Sequence, residues 1–473
     1  MITFLLALAS LIAGYLLYGK VVERAFEPDE RLTPAQEMAD GVDFVELPTW
    51  KVFLIQILNI AGLGPITGAI MGALWGPVVY LWIVLGSIFA GATHDYLTGM
   101  LSMRHQGASV SELIGKYLGR SVRQVMTIWT AVLLVMVGTV FSVGSAGLLA
   151  MLTPDMLSKN FWLVVILIYF FIATFVPIDK VIGRIYPLFG VCLLIMAVGV
   201  GAGLVFKGYP LPELWDNFGN LHPEGKPIWA FMFVTVACGA ISGFHATQSP
   251  MMARCLRTEK HGRSVFYGAM VAEGAIALVW AAAGVAFYNG TGGLLEAIEA
   301  GTANGVVFEV CTQVLGPIGG VLAMIGVIAC PITSGDTAFR SARLTLADWL
   351  HKDQQTILSR LWLTVPLLAA GAVIGQFDYQ IIWRYFSWSN QTLAMVTLWA
   401  VAVYLYRARQ GTGYFLIAMV PAVFMSAVCM TYILQAPEGF GLSAAAAYPA
   451  GIVFAGVLLA LFLLRAKGSQ LKG

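Results

Sequence analysis

Asn59-Ile60-Ala61-Gly62-Leu63-Gly64-Pro65-Ile66-Thr67-Gly68 interrupts an apolar stretch that runs from about 52 to 75. Gly62, Gly64 and Gly68 weaken a helix, and Pro65 has no N–H to give to one. Irregular backbone inside a membrane is tolerated only where protein or a water-filled cavity satisfies the freed groups. The stretch therefore predicts a broken helix with a candidate binding site at the break. A second such cluster, Cys238-Gly239-Ala240-Ile241-Ser242-Gly243-Phe244-His245-Ala246-Thr247-Gln248-Ser249-Pro250, lies in the apolar segment from about 228 to 250. Close helix packing is the alternative reading of either cluster alone.

Composition places both clusters in lipid. Of 473 residues, 59% are hydrophobic and only 11% are charged, against roughly 25% charged in a soluble domain. Mean hydropathy is +0.81. One soluble core does not grow past roughly 250 to 300 residues, so this surplus predicts a polytopic membrane protein. A net charge of +2 gives no basic excess for nucleic acid. The six cysteines form no CxxC or Cys/His spacing, so free buried thiols and no metal centre are expected. The run Ile2 to Tyr18 lacks a positive start and a small-residue cleavage site, and is read as a retained helix.

Stretches long enough to cross a ~30 Å hydrocarbon layer lie at about 2–18, 52–75, 78–100, 125–149, 161–177, 185–206, 228–250, 265–289, 313–335, 361–376, 385–405, 413–434 and 448–464. Assigning loops to alternate sides puts 23 of the 27 Lys and Arg on one side, leaving Lys159, Lys207, Lys226 and Arg384 on the other. Because basic loops are retained in the cytoplasm, the split predicts thirteen spans, with the N-terminus outside and the C-terminus inside. The connection 19–51, rich in both signs of charge, is read as a solvated linker. Ser109 and Glu112 form a capping box for a short helix along the inner surface.

The two glycine clusters sit five spans apart on helices of opposite direction. Segments 52–206 and 228–405 then form two inverted five-helix repeats, each opening with a broken helix. Residues 1–51 and 413–473 lie outside them. At such breaks half-helix N-termini offer N–H groups while carbonyls face the same cavity. Pro65 suits the first turn of the outer half-helix. Amides from Gly64 to Thr67 are thus candidate carboxylate ligands, with Asn59, Gly62, Gly239, Ser242, Gly243 and His245 completing the expected substrate site.

Ionisable groups inside spans suggest function. His94-Asp95, His245 and Asp336 all fall toward the cytoplasmic half and are expected to cluster near an inner gate. Asp336 either pairs with Arg340, four residues on, or joins Thr333 and Ser334 in a small-cation site facing carbonyls of the first break. Asp95 either pairs with an arginine or carries a coupling ion. His245 is either a proton site or a hydrogen-bonded spacer. Arg340, Asn390 and Gln391 are candidate gating residues, the two amides lining the outer mouth or tying helices together. Glu273, Asp378 and Glu309 are left without an assigned role.

Several of these motifs recur in order in a known family. Asn59 to Gly68, Ala92-Thr93-His94-Asp95 leading to Arg104 and Gly107-Ala108-Ser109, Ser242-Gly243-Phe244-His245-Ala246, Ser334-Gly335-Asp336-Thr337-Ala338-Phe339-Arg340-Ser341-Ala342-Arg343 and Ser389-Asn390-Gln391 resemble the carbon starvation protein A family, over about residues 15 to 400. The resemblance implies a LeuT-like broken-helix fold in the inner membrane, induction on nutrient depletion, and uptake of peptides or, in some members, pyruvate, with proton coupling. The chain departs in having Ile55-Gln56 where longer members often carry a His pair, and in stopping soon after Leu464. The expected function is therefore secondary active uptake of a peptide or pyruvate-like carboxylate with H+ or Na+, without a cofactor. A membrane nutrient sensor signalling to a partner protein is the alternative, and it would need a docking domain for which the short loops leave no room. An enzyme would need a nucleophile motif, and no H-x-x-x-H or G-x-S-x-G is present.

Overall fold

A computed structural model of the chain describes residues 1–41, 43–175, 186–354 and 356–470. Among them regular structure is helical, apart from an isolated bridge between Leu47 and Leu256. The helices used below are α1 (Ile2–Phe26), α2 (Thr49–Ile60), α3 (Gly64–Trp75), α4 (79–104), α5 (Val110–Leu118), α6 (Arg120–Leu152), α7 (Lys159–Ala173) and α8 (Tyr186–Phe206). They continue with α9 (228–235, with non-helical backbone at Trp229 and Ala230), α10 (Gly243–Ala253), α11 (Glu259–Phe287), α12 (Thr291–Leu350, interrupted by non-helical backbone at Thr302 and Gly316), α13 (Ile357–Ile374), α14 (Tyr379–Ala408), α15 (Leu416–Gln435) and α16 (Ala444–Gln470).

Helices cover each of the thirteen apolar segments, within the described residues. Seven are long and apolar enough to cross a membrane, or eight with α2 and α3 taken as one span bent by 54°. The remaining segments fall short for physical reasons. α10 has 11 residues and α7 has 15, while α14 carries Ser389, Asn390 and Gln391 within its length. Helices surrounded by other helices can carry such polar groups because they do not face lipid. α6 and α11 are the most enclosed of the long apolar helices, whereas α1, α13 and α16 lie at the periphery and turn Ile12, Trp362 and Ile452 outward.

The two predicted breaks are real interruptions of the chain. α2 stops at Ile60, and a turn carries the chain into α3, with Pro65 in its first positions. α9 ends at Thr235, and α10 begins only after an extended Ser242. Glycine lets the breaks touch one another. A Cβ on Gly64 would stand 2.3 Å from Cys238 Sγ, and one on Gly68 would stand 3.0 Å from the Thr235 carbonyl oxygen. Helices around them close in by the same means, with Gly91 of α4 against the Ala240 carbonyl and Gly62 against the Phe141 ring of α6.

Polar contacts sort the loops into two faces. On one, Arg104 binds Glu259 through Nε and Nη2 at 3.1 and 3.0 Å, Arg263 meets Glu23 at 2.9 Å and Arg257 meets Glu46 at 2.8 Å. The connection after α1 touches this face at a few points while its charged side chains, such as Glu30 and Arg31, stay exposed: the Asp29 amide donates to Glu259, and Thr33 and Ala35 are buried. The capping box forms as expected, with the Glu112 amide donating to Ser109 Oγ. On the opposite face the N-terminal ammonium binds Glu213 at 2.6 Å, and Trp75 Nε1 donates to the Lys226 carbonyl at 3.0 Å. Lys180 and Arg184, counted above with the basic side, lie outside the described residues. The six cysteines are free thiols.

Gly243 tests the packing directly. A Cβ there would lie 2.3 Å from the Asn390 carbonyl oxygen and 2.6 Å from the Ala394 amide nitrogen, both backbone atoms that cannot swing away. Gly243→Ala is expected to destabilise the fold by about 1–3 kcal/mol and to lower the unfolding midpoint of the purified protein in detergent. Gly305→Ala, where nothing lies within 4 Å, is expected to leave that midpoint unchanged.

Candidate functional site

The start of α10 is held by a side chain from another helix. Asn390 Oδ1 accepts from the Phe244 amide at 2.6 Å, and Asn390 Nδ2 donates to Ser242 Oγ at 2.9 Å. A free amide at this N-terminus is thereby satisfied, as capping requires. Gln391 Nε2 donates to the Phe233 carbonyl at 2.6 Å, so the next residue of α14 supports the end of α9. Of the two placements predicted for these amides, the structure has them tying α14 to both sides of the second break. Gly239 lies against Ala277 of α11, where a Cβ would approach to 2.4 Å.

His245, one turn into α10, joins a buried polar chain. Asp95 of α4 accepts from His94 Nδ1 at its Oδ1 and from His245 Nδ1 at its Oδ2, each at 2.8 Å. His245 Nε2 stands 3.3 Å from Glu273 Oε2 of α11. All four side chains are fully buried. An ionised carboxylate only accepts, so both Nδ1 atoms carry hydrogen, and a neutral His245 would present Nε2 as an acceptor. Nε2 of His245 and both carboxyl oxygens of Glu273 are buried without a hydrogen-bond partner among the described residues. His245 thus stands between two carboxylates, hydrogen-bonded to Asp95 and in contact with Glu273.

Depth follows from residue counts. Asp95 is nine residues from Arg104, His245 nine from Arg254 and Glu273 ten from Arg263, all three arginines being at the same face. At ~1.5 Å per residue the cluster lies about 14 Å in, near the middle of a ~30 Å layer. His94, Asp95 and His245 come together as the sequence suggested, while Asp336 does not join them. Asp95 pairs with two histidines rather than an arginine.

Asp336 departs from both of its predicted arrangements. Its Oδ2 accepts from Tyr186 OH at 2.9 Å, while Arg340 Nη2 donates to the Ala173 carbonyl at 3.1 Å. Neither the pair with Arg340 nor a place beside the histidines is formed, because α7 and α8 supply partners of their own. Ser334 Oγ does reach the first break, donating to the Leu58 carbonyl at 2.9 Å, but Thr333 Oγ1 turns to the Cys330 carbonyl of its own helix at 2.7 Å. Asp378 caps α14, and Glu309 accepts from Tyr288 OH at 2.7 Å, which gives both a structural role.

At the first break, the Ile66 and Thr67 amides both donate to the Leu63 carbonyl, at 3.2 and 2.8 Å. This removes two of the amides expected to receive a carboxylate. Side chains supply polar atoms instead: both amide atoms of Asn59, Thr67 Oγ1 and Gln248 Oε1 are buried without a hydrogen-bond partner among the described residues. Gln56 of α2 extends Nε2 to Ser249 Oγ of α10 at 3.4 Å. Glu273 and Gln56 were the functional candidates that sequence reasoning passed over; a carboxylate mid-span in α11 was the available signal for the first. Among the described residues no group of three or more His, Cys, Asp or Glu is placed to hold a metal ion.

Comparison with known proteins agrees with this architecture. A family model described as carbon starvation protein CstA matches residues 1–207 and 151–304. An uncharacterized membrane protein of Haemophilus influenzae is 42% identical over 352 residues, covering 64% of this chain and 95% of that protein. The peptide transporter CstA of Campylobacter jejuni is 30% identical over 335 residues, covering 56% of this chain and 47% of that protein. The peptide transporter CstA of Bacillus subtilis is 25% identical over 529 residues, covering 90% and 88%. Among solved structures, a manganese transporter of Eremococcus coleocola in complex with an aromatic bis-isothiourea compound aligns with a TM-score of 0.55 at 14% identity, covering 91% of this chain and 98% of that one. That likeness is one of fold. The relatives that carry a functional name are transporters rather than enzymes, and this multi-pass membrane protein belongs to the carbon starvation protein CstA family.

Proposed function

We propose that the chain is a secondary active transporter that takes up a peptide or a small carboxylate such as pyruvate across the cell membrane, driven by protons. The observation that carries this reading is the His94–Asp95–His245–Glu273 chain, fully buried at mid-depth and joining α4 and α11 to a half-helix. Names of relatives support a peptide substrate. Two five-helix repeats, 52–206 and 228–405, flanked by 1–51 and 413–473, account for the two breaks, and thirteen spans account for the distribution of basic residues. Clustering of the basic loops on one face supports a cytoplasmic location for that face, with the N-terminus outside.

Coupling follows from hydrogen-bond capacity. While Asp95 is ionised, its two oxygens hold His94 of α4 and His245 of α10 together. A proton on Asp95 converts one acceptor oxygen into a donor, which leaves one Nδ1–H facing another donor and frees α10 to tilt against α4. Movement of a half-helix around a fixed site is the expected form of alternating access in broken-helix transporters. Asn59, Thr67 and Gln248, buried with unpaired polar atoms beside the breaks, are the proposed substrate contacts. Ser334, Thr333 and Asp336 then have supporting roles in the packing of α12.

In proteoliposomes with an inward proton gradient, Asp95→Asn is expected to lose accumulation of labelled dipeptide or pyruvate by at least about 50-fold at unchanged protein yield. Accumulation at the wild-type level in that variant would exclude Asp95 from coupling, and dependence on an imposed sodium gradient alone would exclude the proton. Asn59→Ala and Thr67→Ala each remove one polar contact, about 1.4 kcal/mol or tenfold in affinity. Both are expected to raise the uptake KM about tenfold with little change in maximal rate, measured in the same vesicles.

A further inference from the structure

On the face opposite the basic loops, a cavity of about 190 Å3 opens between α3, α9, the start of α14 and the loop after α15. Thr235, the last residue of α9 and the neighbour of Gly68, lines it, so the cavity leads onto both half-helices. α14 contributes Trp383, Arg384 and Ser387 to its wall. Trp383 and Ser387 are 3% and 2% exposed, and neither the indole N–H nor the hydroxyl finds a hydrogen-bond partner among the described residues. Buried donors left unpaired are costly, and two of them on the same wall as a guanidinium are the kind of donor set that a carboxylate pairs with.

The same cavity also contains an acid. Glu438 is 7% exposed, accepts from Tyr432 OH, and stands 3.5 Å from Arg384 Nε without an aligned hydrogen bond. A second cation, Lys226, is already paired with Glu224 at 2.5 Å. Burial and the nearby Lys226 hold the His222 pKa down to about 4, which leaves its ring neutral at pH 7. The lining charges that remain are thus one Arg and one carboxylate side by side. A plain anion placed against Arg384 would meet Glu438, whereas a ligand with its own ammonium would satisfy both.

We propose that this cavity is an outer capture site for a short zwitterion, a free amino acid or dipeptide, and that it discriminates against plain carboxylates. The ligand carboxylate lies among Arg384, Trp383 Nε1 and Ser387 Oγ, and its ammonium meets Glu438. This rests on the transporter reading for its role in uptake, but its binding chemistry is independent of any ion gradient.

The test is equilibrium binding of labelled glycylglycine to the purified full-length protein in lipid nanodiscs, with unlabelled N-acetylglycylglycine and pyruvate as competitors. Both competitors are expected to be at least about tenfold weaker than unlabelled glycylglycine. Glu438→Gln is expected to weaken glycylglycine about tenfold and to abolish its advantage over the N-acetyl form. Trp383→Phe, which keeps the ring, and Ser387→Ala are expected to weaken all three ligands by several-fold, with the unfolding midpoint unchanged. Pyruvate competing as well as glycylglycine, no binding of glycylglycine, or binding unaffected by Glu438→Gln and Trp383→Phe would overturn the site and leave Arg384 and Glu438 as a structural pair. Glycylglycine that binds as expected but is never accumulated under a proton gradient would instead remove the transport reading and leave the site standing.

Discussion

A helix that stops inside an apolar layer leaves N–H and C=O groups that no water is there to satisfy, and each would cost several kcal/mol if left alone. The chain meets that constraint twice, at 61–63 and at 236–242, and much of the interior is arranged to satisfy it. Asn390 reaches across from α14 to the Phe244 amide, Gln391 takes the Phe233 carbonyl, and Ser334 comes from α12 to the Leu58 carbonyl. Glycine brings these helices close enough: Gly64 against Cys238, Gly91 against Ala240 and Gly243 against Asn390 leave no space for a side chain. The breaks are therefore built features of a close-packed interior.

The second constraint is charge. Two carboxylates and two imidazoles lie fully buried at mid-depth, where an uncompensated charge is expensive. Asp95 bridges the two histidines, and the contact of His245 with Glu273 brings in a third helix, one of the three being the half-helix after the second break. Protonation chemistry and backbone geometry thus meet at His245, whose own amide lies in the first turn of α10. That coincidence makes this cluster the centre of the account, ahead of Asp336, which is tied to Tyr186 in the packing between α8 and α12.

What the sequence made legible was local in origin. Glycine and proline break a helix wherever they stand, so both interruptions could be read from a dozen residues each. The uneven spacing of basic residues is likewise a property of the sequence alone, since it depends on counting and not on contacts. Long-range partners were hidden. Asn390 lies 146 residues from Phe244, and His245 lies 150 from Asp95; only the fold brings them together. Glu273 looked like any carboxylate in a span until α11 placed it against His245. The connection after α1 keeps its charges exposed, but Arg31 and Glu46 also find partners in loops more than 200 residues away, Glu259 and Arg257, which no local reading shows.

The central claim is that a proton crosses with the substrate through the buried histidine and carboxylate chain. Purified protein reconstituted in vesicles loaded with a pH-sensitive dye tests it most directly. Addition of external dipeptide or pyruvate, with no gradient imposed, is predicted to acidify the vesicle interior in proportion to the substrate taken up. Uptake of either substrate that leaves the internal pH unchanged would contradict the account.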